Sequence, residues 1–407
     1  MNETTTVRPK GRRLLDDSAR VIGVINAGSS SLKFAFYEGE RRILSGQVDG
    51  LGSQPAAKAS GQVGEALEPP SFGRNPPTTA SEVLPVLLPW AKEMLGGRRL
   101  AALGHRVVQG GMRHTRHERV TPELLAQLET LIPLAPLHQP HNLAAIRTAM
   151  EFNPALPQVA CFDTAFHRSA PEVAQAFALP SDLYDEGVRR YGFHGLSYEY
   201  IASVLSEQAP EIAEGRVVVA HLGNGASLCA LKARISIAST MGFSVLDGLP
   251  MSTRCGDLDP GVVLHLLKHK GMSVEALEDL LYRRSGMLGL SGVSSDFRDL
   301  LASDDPRARF AVDVFCYQTA RHIGSLAAAL NGIDGIVFTA GVGENAVSVR
   351  ASISQGCRWL GLELDQVANR RHGPRISKAG SRVAAYVIST DENLMIARHT
   401  RALSTGK

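Results

Sequence analysis

The stretch VIGVINAGSSSLKFAF, Val21 to Phe36, runs from one apolar strand to another through a glycine and three consecutive serines. Apolar, β-branched and aromatic runs on either side of a small polar tip are the pattern of a β-hairpin. This tip is rich in small donors, and Lys33 stands just inside the returning strand. Small residues leave backbone N–H groups and hydroxyls open to an approaching anion. The same architecture returns in RVVVAHLGNGASLCAL, Arg216 to Leu231, where GNGASL set beside AGSSSL aligns Ser227 with Ser31 and Leu228 with Leu32. Two such hairpins near the starts of two halves are what a duplicated pair of domains would give.

Bulk properties narrow the classes. A chain of 407 residues is longer than the roughly 250–300 at which single cores stop growing, so two domains are expected. Its 43 basic and 40 acidic side chains leave a formal charge of only +3, which points away from nucleic acid or an acidic membrane surface and toward small-molecule chemistry. The five cysteines (Cys161, Cys229, Cys255, Cys316, Cys357) are scattered and form no C-x-x-C pair. Neither a disulfide framework nor a zinc site is indicated, and a reducing cytoplasm is expected. Residues 1–20 are polar without an apolar h-region and read as a disordered tail. No run of about 18 apolar residues offers a membrane span. The segment Gly52 to Ser81, rich in Gly, Pro, Ala and Ser, reads as an irregular surface excursion.

Downstream, Arg307 to Gly332 places Phe310, Val314, Ala320, Ile323, Leu326 and Leu330 at roughly helical spacing before an Asn-Gly stop, which predicts one long helix. After it, IDGIVFTAGVGENAVSVRASI reads as a strand, a Gly-x-Gly tip at Gly341 to Gly343, and a helix. That geometry suits a phosphate. Gly341, Gly343 and Ala346 also satisfy the dinucleotide fingerprint, with Glu363 about twenty residues on, so an NAD-dependent dehydrogenase is a rival reading. Against it, only about sixty residues follow the turn, too few for paired βαβαβ halves. No G-x-x-x-x-G-K-[ST] occurs.

Ten segments, taken in order, carry a family resemblance: INAGSSSLKF, GHRVVQGG, LAPLHQPHN, CFDTAFH, RRYGFHGLS, HLGNGASL, STMGFSVLDGLPMSTRCGDLDPG, SGMLGLSGVSSDFRD, FTAGVGENA and TDENLMIARHT. From Ile25 to Thr400 this series resembles that of the acetate and propionate kinase family. The resemblance implies an α/β protein of the acetate and sugar kinase, heat-shock and actin superfamily, with two duplicated ribonuclease H-like domains closing on a cleft. Residues 21–162 with 393–407 would form the N-terminal acyl kinase domain and 163–392 the nucleotide-binding domain. It implies ATP and ADP as cosubstrate, Mg²⁺ with Mn²⁺ as an alternative ion, a small carboxylic acid, and a homodimer. The implied reaction is reversible transfer of the γ-phosphoryl group to acetate, with propionate as the alternative acceptor. A chaperone or filament ATPase of the same superfamily would share the hairpins but has no use for the arginines and histidine that follow.

Phosphoryl transfer leaves the protein mainly positioning and charge neutralisation, so basic side chains and amide donors are the parts to look for. By resemblance His221, Leu222, Gly223, Asn224 and Gly225, together with Gly341, Val342, Gly343, Glu344 and Asn345, hold the nucleotide. Asp296, Phe297 and Arg298 lie near the adenosine, and Lys33 sits on the phosphates as a point charge. Arg106 and Arg254 reach the carboxylate and the transferring group, where a planar guanidinium engages two oxygens. His194 resembles the residue that bonds the equatorial oxygens. Asn26 and Glu392 belong to the Mg²⁺ environment, and Asp163 orients the nucleophile; a carboxylate ionised near pH 7 needs no general base. Val108, Leu137, Phe193 and Val245 line the acyl pocket. Of the other histidines, His138 and His141 stand i, i+3 around Pro140 with no third ligand evident. Gln109, Tyr198, Ala238 and Ser252 depart from the family pattern without being assigned to chemistry, whereas Val245, where proline is usual, puts the identity of the acid in question.

Overall fold

In the computed structural model, which describes residues 20–62, 64–73 and 76–405, the opening hairpin is the centre of a sheet. Its strands β1 (Arg20–Ala27) and β2 (Ser31–Glu38) continue antiparallel into β3 (Arg41–Asp49), β4 (Ala56–Ser60) and β5 (Ala66–Leu67). On its other side β1 pairs in parallel with β6 (Arg99–Val107), which pairs in parallel with β8 (Gln158–Phe162), and β7 (Glu118–Arg119) closes that edge. The order is β5-β4-β3-β2-β1-β6-β8-β7.

A second sheet repeats the plan. Strands β9 (Arg216–Leu222), β10 (Ala226–Lys232) and β11 (Ile235–Ser239) form an antiparallel meander, and β12 (Gly335–Thr339) and β13 (Ala384–Val387) add in parallel beyond β9. Its order, β11-β10-β9-β12-β13, matches β3-β2-β1-β6-β8 strand for strand. The hairpins correspond in strand order but not in register: Leu32 faces Ala27, five residues back, whereas Leu228 faces Ala220, eight residues back. Strands β8, β12 and β13 are buried along their whole length, as parallel strands covered on both faces must be.

Several expectations need correction. The tail falls almost wholly outside the described residues, and Arg20 belongs to β1. The segment 52–81 is not an irregular excursion throughout: β4 and β5 extend the sheet edge from within it, and a helix begins at Ala80, capped by Thr79. Alanine and lysine are poor strand formers, so β4 gives little signal by itself. The long helix spans Pro306–Ala329, with the Asp305 carboxylate accepting from the Arg307 N–H at 2.8 Å. Its buried face departs from the expected stripe in the first half, where Ala308, Ala311, Phe315 and Thr319 face inward and Phe310 is 58 % exposed, and agrees with it in the second, where Ile323, Leu326 and Leu330 are buried. Gly341 and Gly343 lie inside a short helix, Ala340–Asn345, entered through Ala340 at φ +63°, and not on a loop. Glu363 is a surface acid 3.3 Å from Lys378, and the strand order is not that of a dinucleotide-binding domain. The dehydrogenase reading fails on both counts.

Two helices join the halves. Glu392–Thr405 lies on the first sheet, packing Met395, Ile396 and Ala397 among Ile22, Val24, Ala102 and Val159. Gly195–Gln208 packs beside it and brings Leu196 into the same cluster. Among the described residues no helix is long and apolar enough to cross a membrane. The seat of the C-terminal helix is set by Gly104 on β6, where a Cβ would come within 2.6 Å of Ile396 Cγ2. Overpacking of this kind costs about 1–3 kcal/mol. Gly104→Val is therefore expected to lower the urea midpoint by an amount equivalent to about 2–3 kcal/mol or more, and an unchanged midpoint would show that the helix is not tightly seated there.

Candidate active site

The ends of β1, β6, β8, β9, β12 and β13 open on one cleft, the carboxyl-end location where open α/β sheets bind ligands. Arg106 is the penultimate residue of β6, and Asp163 follows β8 directly. Because these strands are neighbours, the two side chains meet as a fork: Arg106 Nε donates to Asp163 Oδ1 at 2.9 Å and Nη2 to Oδ2 at 2.5 Å. The carboxylate is 2 % exposed and the guanidinium 22 %. Burial works against the Arg106 charge, but Asp163 and Glu392 outweigh it and hold the guanidinium above its ordinary range. Both carboxylate oxygens of Asp163 are thus turned to Arg106.

Arg254 is different. It lies in a loop, donates to the Val245 carbonyl oxygen at 3.2 Å, has Met251 Sδ at 3.4 Å, and has no carboxylate partner among the described residues. Burial, with Arg106 nearby, pushes its pKa down. A partly desolvated cation near a second cation suits an anion. His138 feels both: burial, Arg254 and Arg106 depress it to about 3, so it is neutral at physiological pH. Sequence reasoning treated His138 only as a metal candidate, and its place near both arginines came from folding.

His194 occupies the left-handed region at φ 56° and ψ 23°, at the mouth of the Gly195–Gln208 helix. The conformation is held because its carbonyl accepts from the N–H groups of Ser197 and Tyr198, at 3.0 and 3.1 Å. Gly195 N–H donates to the Asp163 carbonyl at 3.0 Å, an approach too close for any Cβ. The His194 ring stacks on that of His221, with centroids 4.3 Å apart and planes 19° apart, and its Nδ1 lies 2.8 Å from Ser227 Oγ. His221 Nδ1 lies 2.8 Å from Ser197 Oγ. Burial, followed by His221, Arg106 and Arg254, drives the His194 pKa well down, and burial with Arg106 takes His221 to about 4.

Beside this centre lies a cavity of about 500 Å³ lined by Gly223, Asn224, Asp296, Phe297, Arg298, Gly341, Val342 and Asn345, with Leu301 and Ala346. Three sequence segments expected at the nucleotide thus share one wall. A Cβ at Gly341 would meet nothing within 4 Å, so glycine there leaves room that the chain does not use itself. Arg298 pairs with Asp296 at 2.5 Å, and the Asn345 amide donates to the Gly341 carbonyl at 2.9 Å. Leu222 and Phe297 are core residues, Phe297 packing edge-on against Phe315 at 4.7 Å, so Leu222 offers only its backbone to the cleft. Glu344 turns away from the cavity, and its carboxylate accepts from the Thr390 N–H at 3.3 Å. The short Ala340–Asn345 helix is anchored by a residue that sequence reasoning missed, the fully buried Arg350. Its Nη1 donates to the carbonyls of Gly343 and Glu344 at 2.9 and 2.8 Å, and its Nε to Asn369 Oδ1 at 2.7 Å. An arginine inside a helix gives no local sign of such a role.

Asn26, the penultimate residue of β1, lies across from Lys33 on β2, and Lys33 is close enough to help depress His221. Glu392 begins the C-terminal helix and acts on both Arg106 and Asp163. Neither the Asn26 amide nor the Glu392 carboxylate has a hydrogen-bond partner among the described residues. Of the acyl-pocket set, Val108, Phe193 and Val245 share one cluster with Ala135, Met241 and Met251. Leu137 is half-buried and outside it, and Leu134 packs there instead. Behind the cleft, Glu199 accepts between His399 Nε2 at 2.9 Å and His117 Nε2 at 3.5 Å. His117 Nδ1 accepts from the Phe162 N–H at 3.1 Å, which leaves the ring proton on Nε2, facing Glu199. That proton makes the trio a hydrogen-bonded bridge in which burial opposes the charge of Glu199 but the two imidazoles hold it at about 2.

Duplicated sheets with a cationic cleft at their strand ends and a nucleotide-sized cavity beside it define a two-lobed phosphotransferase of the acetate and sugar kinase, heat-shock and actin superfamily. The model of the acetokinase family matches residues 21–398, and the chain belongs to that family. It is 53 % identical over 385 residues to an acetate kinase of Nitrobacter hamburgensis, covering 93 % of this chain and 95 % of the relative. Against an acetate kinase of Rhizobium meliloti it is 52 % identical over 388 residues, covering 93 % and 97 %. The crystal structure of Porphyromonas gingivalis acetate kinase superposes with a TM-score of 0.84 at 34 % identity, covering 94 % of this chain and 99 % of that one. A propionate kinase from Francisella tularensis gives 0.88 at 32 % identity, covering 94 % and 100 %.

The buried neutral histidines carry a pH consequence. Burial holds His105, His167 and His221 at about 4 in the folded chain, against an ordinary value of 6.5. Between those values the unfolded chain binds protons that the folded chain refuses, so their contribution is complete above about pH 6.5 and is lost as pH falls. The urea midpoint is expected to drop most steeply between about pH 6 and pH 4. A flat midpoint across that window would show that these rings protonate freely in the folded state.

Proposed function

We propose that the protein is an ATP-dependent acetate kinase, transferring the γ-phosphoryl group reversibly to the carboxylate of acetate to give acetyl phosphate and ADP. The observation that carries this reading is Arg254, a half-buried guanidinium without a carboxylate partner among the described residues, set near Arg106 and the nucleotide-sized cavity. A carboxylate oxygen attacks the γ-phosphorus as the bond to the β-phosphate oxygen breaks. Arg106, fixed by Asp163, and Arg254 neutralise the charge spread over the group in flight, and His194 donates to its oxygens. Lys33 meets the phosphate chain. The side chains of Asn26 and Glu392 are oxygen donors with no hydrogen-bond partner among the described residues, and they suit Mg²⁺, a hard cation that keeps most of its waters. An ion held by Asn26 and Glu392 would supply positive charge against the phosphates. The resemblance that includes propionate kinases, with an apolar set of Val108, Phe193 and Val245, supports propionate as a second acceptor.

The wider reading follows the same logic. Residues 21–162 with 393–407 and residues 163–392 act as closing units, so that water is excluded when both substrates are bound. Exposed apolar side chains, Leu264 at 51 %, Phe310 at 58 % and Tyr317 at 66 %, support a homodimer that covers them. Five unpaired cysteines support a reducing cytoplasmic location.

A coupled assay of ADP release, with hydroxylamine trapping of the acyl phosphate, tests the central claim: ATP hydrolysis independent of acid would overturn it. Arg106→Ala and Arg254→Ala are each expected to lower kcat by about 10²–10³ while still binding ATP, the usual loss of a transition-state donor. Near wild-type turnover in either variant would remove that arginine from the site. An apolar pocket selects by volume, and one methylene is worth roughly 10- to 200-fold. Acetate and propionate are therefore expected within about tenfold of each other in kcat/KM, with butyrate poorer and Val245→Ala moving the optimum to a longer acid. A wild-type preference for butyrate, or no shift in the variant, would take Val245 out of the pocket.

A further inference from the structure

Tyr198 was assigned no chemistry from the sequence, yet it sits behind His194. It is one helical turn beyond His194, fully buried, and its hydroxyl has a single hydrogen-bond partner among the described residues, Ser227 Oγ. Ser227, also fully buried on β10, is in turn 2.8 Å from His194 Nδ1. The three groups form a chain with few ways to place its protons. A buried phenol O–H without an acceptor is costly, so Tyr198 must donate, and Ser227 Oγ is the acceptor within reach. Once Ser227 has accepted, its own proton can go only to His194 Nδ1. The reverse order, with Nδ1–H donating to Ser227 and Ser227 donating to Tyr198, strands the phenol proton.

We propose that Tyr198 acts through Ser227 to fix the tautomer of His194, so that the ring's one proton lies on Nε2 and faces the cleft. A Cβ at Gly225 would lie 3.0 Å from His194 Nε2 and 3.8 Å from Arg254 Nη1, so Nε2 opens onto the space beside Arg254. No protein acceptor meets Nε2 there among the described residues. The donor is therefore aimed at a phosphoryl oxygen. Tyr198 is a positioning residue, and its contribution is a direction of hydrogen bonding. The inference rests on the reading of His194 as a donor to the transferring group.

Selective ¹⁵N labelling of histidine reads the proton position directly, the His194 signal being identified by its loss in His194→Ala. Wild type is expected to show Nε2 protonated and Nδ1 bare. In Tyr198→Phe the signal should shift toward a tautomer mixture, with kcat about tenfold lower and the KM for both substrates within about twofold, since one ordering hydrogen bond is lost and no substrate contact is removed. Tyr198→His, which restores an N–H donor, should recover most of the rate. Should Tyr198→Phe fail to fold, Ser227→Ala breaks the same chain at its middle and is expected to give the same tautomer shift. A wild-type Nδ1–H signal, or an unchanged signal and kcat in both Tyr198→Phe and Ser227→Ala, would overturn the inference. Full activity of His194→Ala would overturn the donor reading on its own account, while the nitrogen signals still decide whether Tyr198 orders the ring.

Discussion

The cleft depends on keeping two guanidiniums close together in a largely dry environment. Burying one cation costs several kcal/mol unless it is paired, and a second cation adds repulsion. Arg106 is compensated by a two-point fork to Asp163, and Arg254 only by a carbonyl oxygen and a sulfur. The asymmetry is instructive. A fully paired site would be more stable and would have nothing left with which to hold an anion; the unpaired half leaves binding energy for the charge that develops in transfer.

That arrangement requires a scaffold that can carry polar groups at the edge of a core without flooding it. Parallel strands supply it, since their buried lengths are apolar and their carboxyl ends release the chain into the cleft. Duplication supplies it twice. The first sheet delivers Asn26, Arg106 and Asp163, the second delivers His221 and the glycine tip, and the two helices that join the halves begin at or beside His194 and Glu392. Small relative motion of the sheets therefore changes distances between reacting groups, while the geometry within each half stays fixed.

Much of this was legible in the chain because its signals are local. Hairpins announce themselves by apolar runs on either side of small tips, and both sequence hairpins, Val21 to Phe36 and Arg216 to Leu231, are antiparallel strand pairs in the fold. What escaped was long-range. Strand β4 is built from alanines and a lysine and becomes a strand only because β3 offers an edge. Phe310 fits the helical spacing but faces solvent, since small residues such as Ala308 and Ala311 let the helix lie close to the sheet on another face. His138 and Arg350 occupy ordinary local contexts; the one is influenced by Arg106 and Arg254, both remote in sequence, and the other binds carbonyls of a short helix.

Three imidazoles, those of His138, His194 and His221, share the cleft with the arginines, and burial together with those same arginines keeps them uncharged. Adding three protons would raise the positive charge until the empty cleft repelled itself. Neutral rings avoid that cost and still offer hydrogen bonds, but a neutral imidazole is a donor at only one nitrogen. Charge neutrality therefore creates a second requirement, that of choosing the nitrogen, and the choice must be made by whatever touches the other one. His221 meets Ser197, which also lies 2.9 Å from Thr390, and His194 meets Ser227, which is bonded to Tyr198. Each ring is thus held by a serine that is itself held by a second hydroxyl. The helix Gly195–Gln208 supplies Ser197 and Tyr198 from consecutive positions of its first turn, so one element fixes both rings while its start carries His194 into the cleft.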